Sequence, residues 1–245
     1  MSHLLSTKPI PNHQRLIMAL DVPSIEEAKH LVETLGDSVS FFKVGLELFM
    51  TGQYYELIDW LNAHDKHVFA DLKFFDVPET VARAIRVLSQ HGVDFATIHG
   101  NQAIMEAAAA AKGNLKVLAV TVLTSIDRGD LKDLGFECDV ESLVLSRARR
   151  ALEAGCDGVI SSGLEVPKLR ANIDHQLIVV SPGIRPVENR PADDQKRVVT
   201  VPEAFLNGAD YIVVGRPIRD AHDPRQEALK IQHQIDEVFF EASGV

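Results

Sequence analysis

The 245-residue chain is predicted to be α/β, a single-domain (β/α)8 TIM barrel, on three observations. Short β-branched apolar runs alternate with amphipathic stretches from one end to the other, which suggests parallel strands joined by helical crossovers. The runs are apolar nearly throughout, as expected of a sheet covered on both faces. The length is the usual one for eight such units, about 250 residues. An open, doubly wound sheet is the competing fold, but "LDVPSIEEA" after the first run has no glycine fingerprint.

In chain order the predicted strands are "RLIMAL" (15–20), "FFKVGL" (41–46), "HVFADLK" (67–73) and "DFATIH" (94–99), then "KVLAVTV" (116–122), "DGVISS" (157–162), "LIVVSP" (177–182) and "DYIVVG" (210–215). Between the first two, Ala28, Leu31, Val32 and Leu35 recur at the spacing of one helix face. Val81, Ala84, Ile85 and Leu88 do the same in "ETVARAIRVLSQHG", and Gly92 marks its end. The run "EAAAAAK" (106–112) is helix propensity without chemistry. "MSHLLSTKPIPNHQR" lacks the basic and apolar regions of a secretory leader, so residues 1–14 are expected to be a polar arm and 15–245 the barrel. The longest irregular stretch is "SPGIRPVENRPADDQKRVV", and a loop of that length implies a lid or binding loop.

Composition narrows the function. The chain is 46% hydrophobic and 24% charged, and it has no apolar run near the roughly 20 residues of a membrane helix. A formal net charge of −10 without a basic stripe argues against nucleic acid. An anionic small substrate would have to meet its positive partners locally. Cys138 and Cys156 are too few for a disulfide framework and lack metal-ligand spacing, so they read as thiols of a reducing cytoplasm. "HDKH" (64–67) reads as a solvated turn rather than a metal site.

Catalytic groups of such barrels sit at the C-terminal strand ends. Asp21 ends the first strand, Lys43 lies in the second, and Asp71, Lys73 and Asp76 follow one another at the third. Asp71 and Lys73 are two residues apart, so they share the interior face, with Leu72 turned outward. A buried lysine needs a carboxylate neighbour, and Lys43 on the adjacent strand can bracket Asp71 from the other side. The expected network is Lys43, Asp71, Lys73, Asp76 with alternating sign. Taken alone, Asp76 before "VPET" reads as a helix start. His99 reads as an ordinary strand-end histidine. Strand 5 runs into Thr124 and Ser125. Strand 7 leads to Pro182 and Arg185, with Gln195 farther along the loop, and strand 8 ends at Gly215-Arg216. Glycine beside arginine after strands 7 and 8 suits a phosphate.

These motifs resemble the orotidine 5′-phosphate decarboxylase family, bacterial branch. "DLKFFDVPET" is similar to its D-x-K-x-x-D-I-P-x-T signature, and "ALDV", "KVGLELF", "VTVLTS", "SPGIRP", "DDQKRVVT" and "IVVGRPI" follow in the family's order. The chain departs from it at Glu79, where many relatives have asparagine, and at "VTVPEA" after the loop. The resemblance implies cofactor-free and metal-free loss of carbon dioxide from orotidine 5′-monophosphate, the last step of de novo uridine 5′-monophosphate synthesis. It implies Lys73 as proton donor, Asp71 beside the leaving carboxylate and Lys43 orienting Asp71. Asp21 and Lys43 would hold the ribose, and Thr124 and Ser125 would meet the base. Pro182 would line the site, while Arg185, Gln195, Gly215 and Arg216 would hold the phosphate. Asp76 and Thr80 would enter the neighbouring site of a homodimer. Two other readings stay open: a magnesium-dependent sugar-phosphate decarboxylase or aldolase of related barrels, and a catalytically silent nucleotide-binding barrel.

Overall fold

The computed structural model describes residues 4–99, 101–185 and 198–242. Each of the eight apolar runs forms a strand: β1 Leu16–Ala19, β2 Phe41–Gly45, β3 His67–Phe74, β4 Phe95–Ile98, β5 Lys116–Val120, β6 Gly158–Ile160, β7 Ile178–Ser181 and β8 Tyr211–Val214. They pair in parallel in sequence order, and β8 closes onto β1. The helices are α1 Ile25–Leu35, α2 Leu46–Phe49, α3 Tyr54–Ala63, α4 Pro78–Ser89, α5 Gln102–Ala111 and α6 Arg128–Asp133. After them come α7 Val140–Glu153, α8 Val166–Asn172, α9 Val201–Leu206, α10 Arg216–Arg219 and α11 Pro224–Ala242.

Local chemistry sets these boundaries. The Ser24 hydroxyl accepts the Glu27 N–H to open α1, which ends at Gly36 with φ 58°. The buried face of α1 includes the predicted Ala28, Leu31, Val32 and Leu35. In α4, Ala82 is buried in place of the predicted Ala84, and the helix stops at Ser89, before Gly92 with φ 65°. Pro78 starts α4, where a missing N–H costs nothing.

Two apolar layers follow from strand parity. Ile17, Phe41, Phe69, Phe95, Leu118, Val180 and Tyr211 fill the barrel interior. Phe95 lies 5.0 Å from Phe41 and 5.2 Å from Tyr211 between ring centroids, so an aromatic plug closes the floor. The outward residues, Phe42, Val68 and Ala96 among them, pack with the helices in the larger core.

A short pattern recurs at the N-terminal end. Gly92-Val93-Asp94, Gly155-Cys156-Asp157 and Gly208-Ala209-Asp210 lead into β4, β6 and β8, each glycine with positive φ. In each unit an aspartate oxygen accepts a backbone N–H of the preceding strand: Asp94 from Val68 at 2.8 Å, Asp157 from Val117 at 2.9 Å, Asp210 from Val179 at 2.8 Å. In "HDKH", His64 and Asp65 form an exposed turn, as the sequence suggests, while the two residues after them are tied in. Lys66 donates to the Gly36 and Val39 carbonyls, and His67 opens β3 with Nδ1 3.0 Å from Asp94.

Candidate active site

A cavity of about 490 Å³ opens at the C-terminal strand ends and includes Phe69 of the aromatic floor in its lining. Asp21, Lys43, Asp71 and Lys73 line one part of it. β2 and β3 pair with Lys43 level with Phe69 and Gly45 level with Asp71. Lys43 therefore starts one layer below Asp71 and reaches upward. Its Nζ lies 2.8 Å from Asp21 Oδ1 and 3.6 Å from Asp71 Oδ2. A Cβ at Gly45 would lie 3.3 Å from that Nζ, so the glycine keeps the ammonium's path open.

Asp71 is the hub. Its Oδ1 accepts from Lys73 Nζ at 2.8 Å and from Thr97 Oγ1 at 2.9 Å. Burial favours the neutral acid, but Lys43, Lys73 and the Thr97 hydroxyl together hold the Asp71 carboxyl below its usual range. Burial likewise opposes the Lys43 ammonium, yet Asp71 and Asp21 hold its pKa above the ordinary lysine value. Both groups stay ionised at neutral pH because each supports the other.

The observed alternation is Asp21, Lys43, Asp71, Lys73. Asp76 does not join it within this chain. After Phe74 the chain turns outward, Phe75 is exposed, and the Asp76 carboxylate accepts its neighbour Val77's N–H at 2.6 Å. Thr80 stands in the first turn of α4, with Oγ1 3.4 Å from Arg83 Nη2. Neither Asp76 nor Thr80 lines this chain's cavity.

β7 lies four strands from β3 around the ring, and the cavity lining there includes Pro182, Gly183, Arg185, Gly215 and Arg216. Gly183 has φ 79°, a turn that needs glycine. Arg185 N–H bonds the Val199 carbonyl at 3.0 Å, so residues 185 and 199 lie side by side. Gln195 lies outside the described residues. Thr124 and Ser125 line the cavity after β5.

Four contributors escaped the sequence reading. Arg219 lines the cavity and donates to the Asp21 carbonyl at 2.5 Å. Ser161 and Ser162 close the lining after β6. Thr97, buried in an apolar strand, holds Asp71. A hydroxyl among phenylalanine, alanine and isoleucine gives no sequence signal beyond strand propensity. His99 packs against Phe75 at 5.7 Å, its pKa lowered by burial and by Arg147 and Lys73. Among the described residues no three His, Cys, Asp or Glu side chains form a ligand set for a metal ion, and no helix is long and apolar enough to cross a membrane.

Such a site can hold an anion at its arginines while presenting an ionised Asp–Lys pair to a reacting centre. Residues 14–231 match the family described as Orotidine 5′-phosphate decarboxylase / HUMPS family. A relative from Methylococcus capsulatus, named orotidine 5′-phosphate decarboxylase, is 73% identical over 98% of this chain and 99% of its own. One of the same name from Stenotrophomonas maltophilia is 50% identical over 94% and 97%. The crystal structure of orotidine 5′-phosphate decarboxylase from Lactobacillus acidophilus superposes with a TM-score of 0.80 at 35% identity, over 91% of this chain and 99% of that one.

Proposed function

This chain belongs to the orotidine 5′-phosphate decarboxylase / HUMPS family, and from that premise we propose that it converts orotidine 5′-monophosphate to uridine 5′-monophosphate and carbon dioxide, the last step of de novo pyrimidine synthesis. The observation that carries the reading is the Asp21–Lys43–Asp71–Lys73 chain facing a cavity that Arg185 and Arg216 also line. When the carbon–carbon bond breaks, its electron pair stays on a ring carbon with no adjacent carbonyl to accept it. Preorganised charge has to stabilise that carbanion. The Lys73 ammonium does so and then gives the carbon its proton. Asp71, kept ionised by its neighbours, disfavours the substrate carboxylate more than the transition state that is losing it.

Lys43 orients Asp71 and reaches the ribose with Asp21, while Thr124 and Ser125 meet the base. Pro182 flanks the site. Arg185, Gln195, Gly215 and Arg216 take the phosphate, whose binding energy serves the distant reaction. No metal ion or organic cofactor takes part in this scheme. The partner is a second copy of the chain, with Asp76 and Thr80 each entering the other's site. Supporting this, Leu46, Phe49, Met50, Phe75 and Val77 are large apolar side chains exposed just after the adjacent strands β2 and β3, at the end of the barrel where the cavity opens. The two free cysteines, Cys138 exposed and Cys156 buried, suit work in the cytoplasm.

The test is the ultraviolet change when purified protein, with chelator present, meets orotidine 5′-monophosphate. Conversion to uridine 5′-monophosphate is expected. A folded protein that leaves the substrate intact would overturn the reading.

A further inference from the structure

β3 and β4 lose register beside the site. Ala70 pairs with Ala96 and Phe74 with Ile98, so β3 spends two more residues than β4 over the same interval. Residues 71–73 bulge at the mouth, and Lys73 takes φ 48°, a left-handed conformation that side chains rarely adopt. The bulge also takes the Lys73 N–H away from the strand ladder. It meets instead Thr97 Oγ1 on β4, at 2.9 Å, a fully buried hydroxyl that donates to Asp71 Oδ1 at the same distance. A backbone N–H can only donate, so this hydroxyl accepts from Lys73 and its own proton goes to Asp71.

Resting on the decarboxylase reading, we infer that Thr97 is a positioning residue for the reaction, one hydroxyl fixing both members of the Asp71–Lys73 pair. It ties down the strained backbone from which the lysine projects. It also occupies Oδ1, already taken by Lys73 Nζ at 2.8 Å, which leaves Oδ2 toward Lys43 at 3.6 Å. Without the hydroxyl the bulge can relax and the carboxylate can turn, and both movements shift the proton donor. Thr97 itself is not in the cavity lining, so its loss should affect chemistry more than binding.

The experiment compares wild type, Thr97→Val and Thr97→Ser. Turnover of orotidine 5′-monophosphate is expressed per site that binds the product, counted by titration with uridine 5′-monophosphate. Valine keeps the branched shape and removes the hydroxyl, and serine does the reverse. Displacing a catalytic group by an ångström can cost about 100-fold, so Thr97→Val is expected to lose on the order of 10- to 100-fold in kcat, with KM little changed. Thr97→Ser is expected to keep most of kcat. A structural role alone would change the number of binding sites but not kcat per site, and wild-type kcat per site in Thr97→Val overturns the inference. Should the valine variant fold poorly, Thr97→Ala against Thr97→Ser decides, because both lack the methyl and equal kcat overturns the role. An inactive wild type would overturn the decarboxylase reading and this inference together. An active wild type matched by Thr97→Val counts against Thr97 alone.

Discussion

The two ends of the barrel hold the same residue types at strand termini and use them differently. At the N-terminal end, Asp94, Asp157 and Asp210 each bond a backbone N–H of the preceding strand. Each also meets a basic side chain: His67 for Asp94, Lys112 for Asp157, and Arg170 with Lys8 for Asp210. At the C-terminal end Asp71 is held by the side chains of Lys43, Lys73 and Thr97. A carboxylate pinned to the backbone is part of the strand. One held by side chains at an open mouth can still act on a ligand. Charge at a strand end is therefore not a sign of catalysis until its partners are known.

The sharpest way to break this contrast is at Lys73. Lys73→Ala should lower kcat by about 10,000-fold or more, since in the proposed scheme it removes both the proton donor and the charge over the carbanion. Nucleotide binding should persist. Near-normal turnover would remove Lys73 from the chemistry and make the mouth structural like the floor. The same variant tests the shared site. If the proposed two-fold dimer shares its sites, mixing it with Asp76→Ala subunits should give hybrids with one intact site and restore about a quarter of wild-type site density after free exchange of equal amounts. No recovery despite exchange would count against a contribution of Asp76 across the interface.

The reciprocal change belongs at Asp210. It is fully buried and accepts from Ser6 Oγ at 2.5 Å, Lys8 Nζ at 3.0 Å, Arg170 Nη2 at 2.8 Å and the Val179 N–H. Asp210→Ala leaves a buried guanidinium and an ammonium uncompensated, which costs about 3–5 kcal/mol of stability. Its kcat per folded molecule should stay within about twofold, because its effect lies in stability rather than transition-state binding. Urea unfolding beside turnover separates the two. A loss of kcat in fully folded Asp210→Ala, without a change in midpoint, would break the division between the ends.

The strands were legible because burial on both faces makes them continuous apolar runs that few other elements imitate. Asp71 and Lys73 were legible as a pair because alternation puts residues two apart on one face, and Leu72 does pack outward in the helix-facing core. The bulge beneath them was not. "DLKFF" contains no glycine, and the positive φ at Lys73 is held from outside by Thr97 on another strand. Asp76 lies past the turn at Phe75 and outside its own chain's cavity, and alternation of sign along one strand does not tell which subunit's site it serves. Lys43 pairs instead with Asp21, which is distant in sequence and adjacent in the ring. The carboxylates of Asp94, Asp157 and Asp210 stand at the N-terminal ends of their strands and those of the mouth at the C-terminal ends, and their backbone partners complete the difference.

The smallest expected effect sharpens the comparison through two histidines. His67 at the floor has its pKa raised, first by its hydrogen bond to Asp94, against burial and the nearby Lys116 charge. Its contribution to stability is therefore fully present below the unfolded value of about 6.5 and is lost as pH rises through the folded pKa. His99 near the mouth has its pKa lowered by burial, with Arg147 and Lys73 adding repulsion. Protonation there favours unfolding, so its contribution falls as pH drops below about 6.5 and levels off below the folded pKa. The His67 pair is more than a third exposed, which keeps its share below about 1 kcal/mol. Urea midpoints at pH 5.5 and 8 for wild type, His67→Gln and His99→Gln read both signs. The wild-type advantage over His67→Gln should shrink at pH 8. Its difference from His99→Gln should become more favourable to wild type at pH 8. Equal differences at both pH values would show that neither histidine titrates with folding. Asp71 and Lys43 do not confuse this reading. A depressed carboxylate loses its contribution only below its unfolded value of about 3.9, and a raised lysine only above about 10.4. Between those limits Asp71 and Lys43 keep their charges, and the two histidines change theirs at opposite ends of the same barrel.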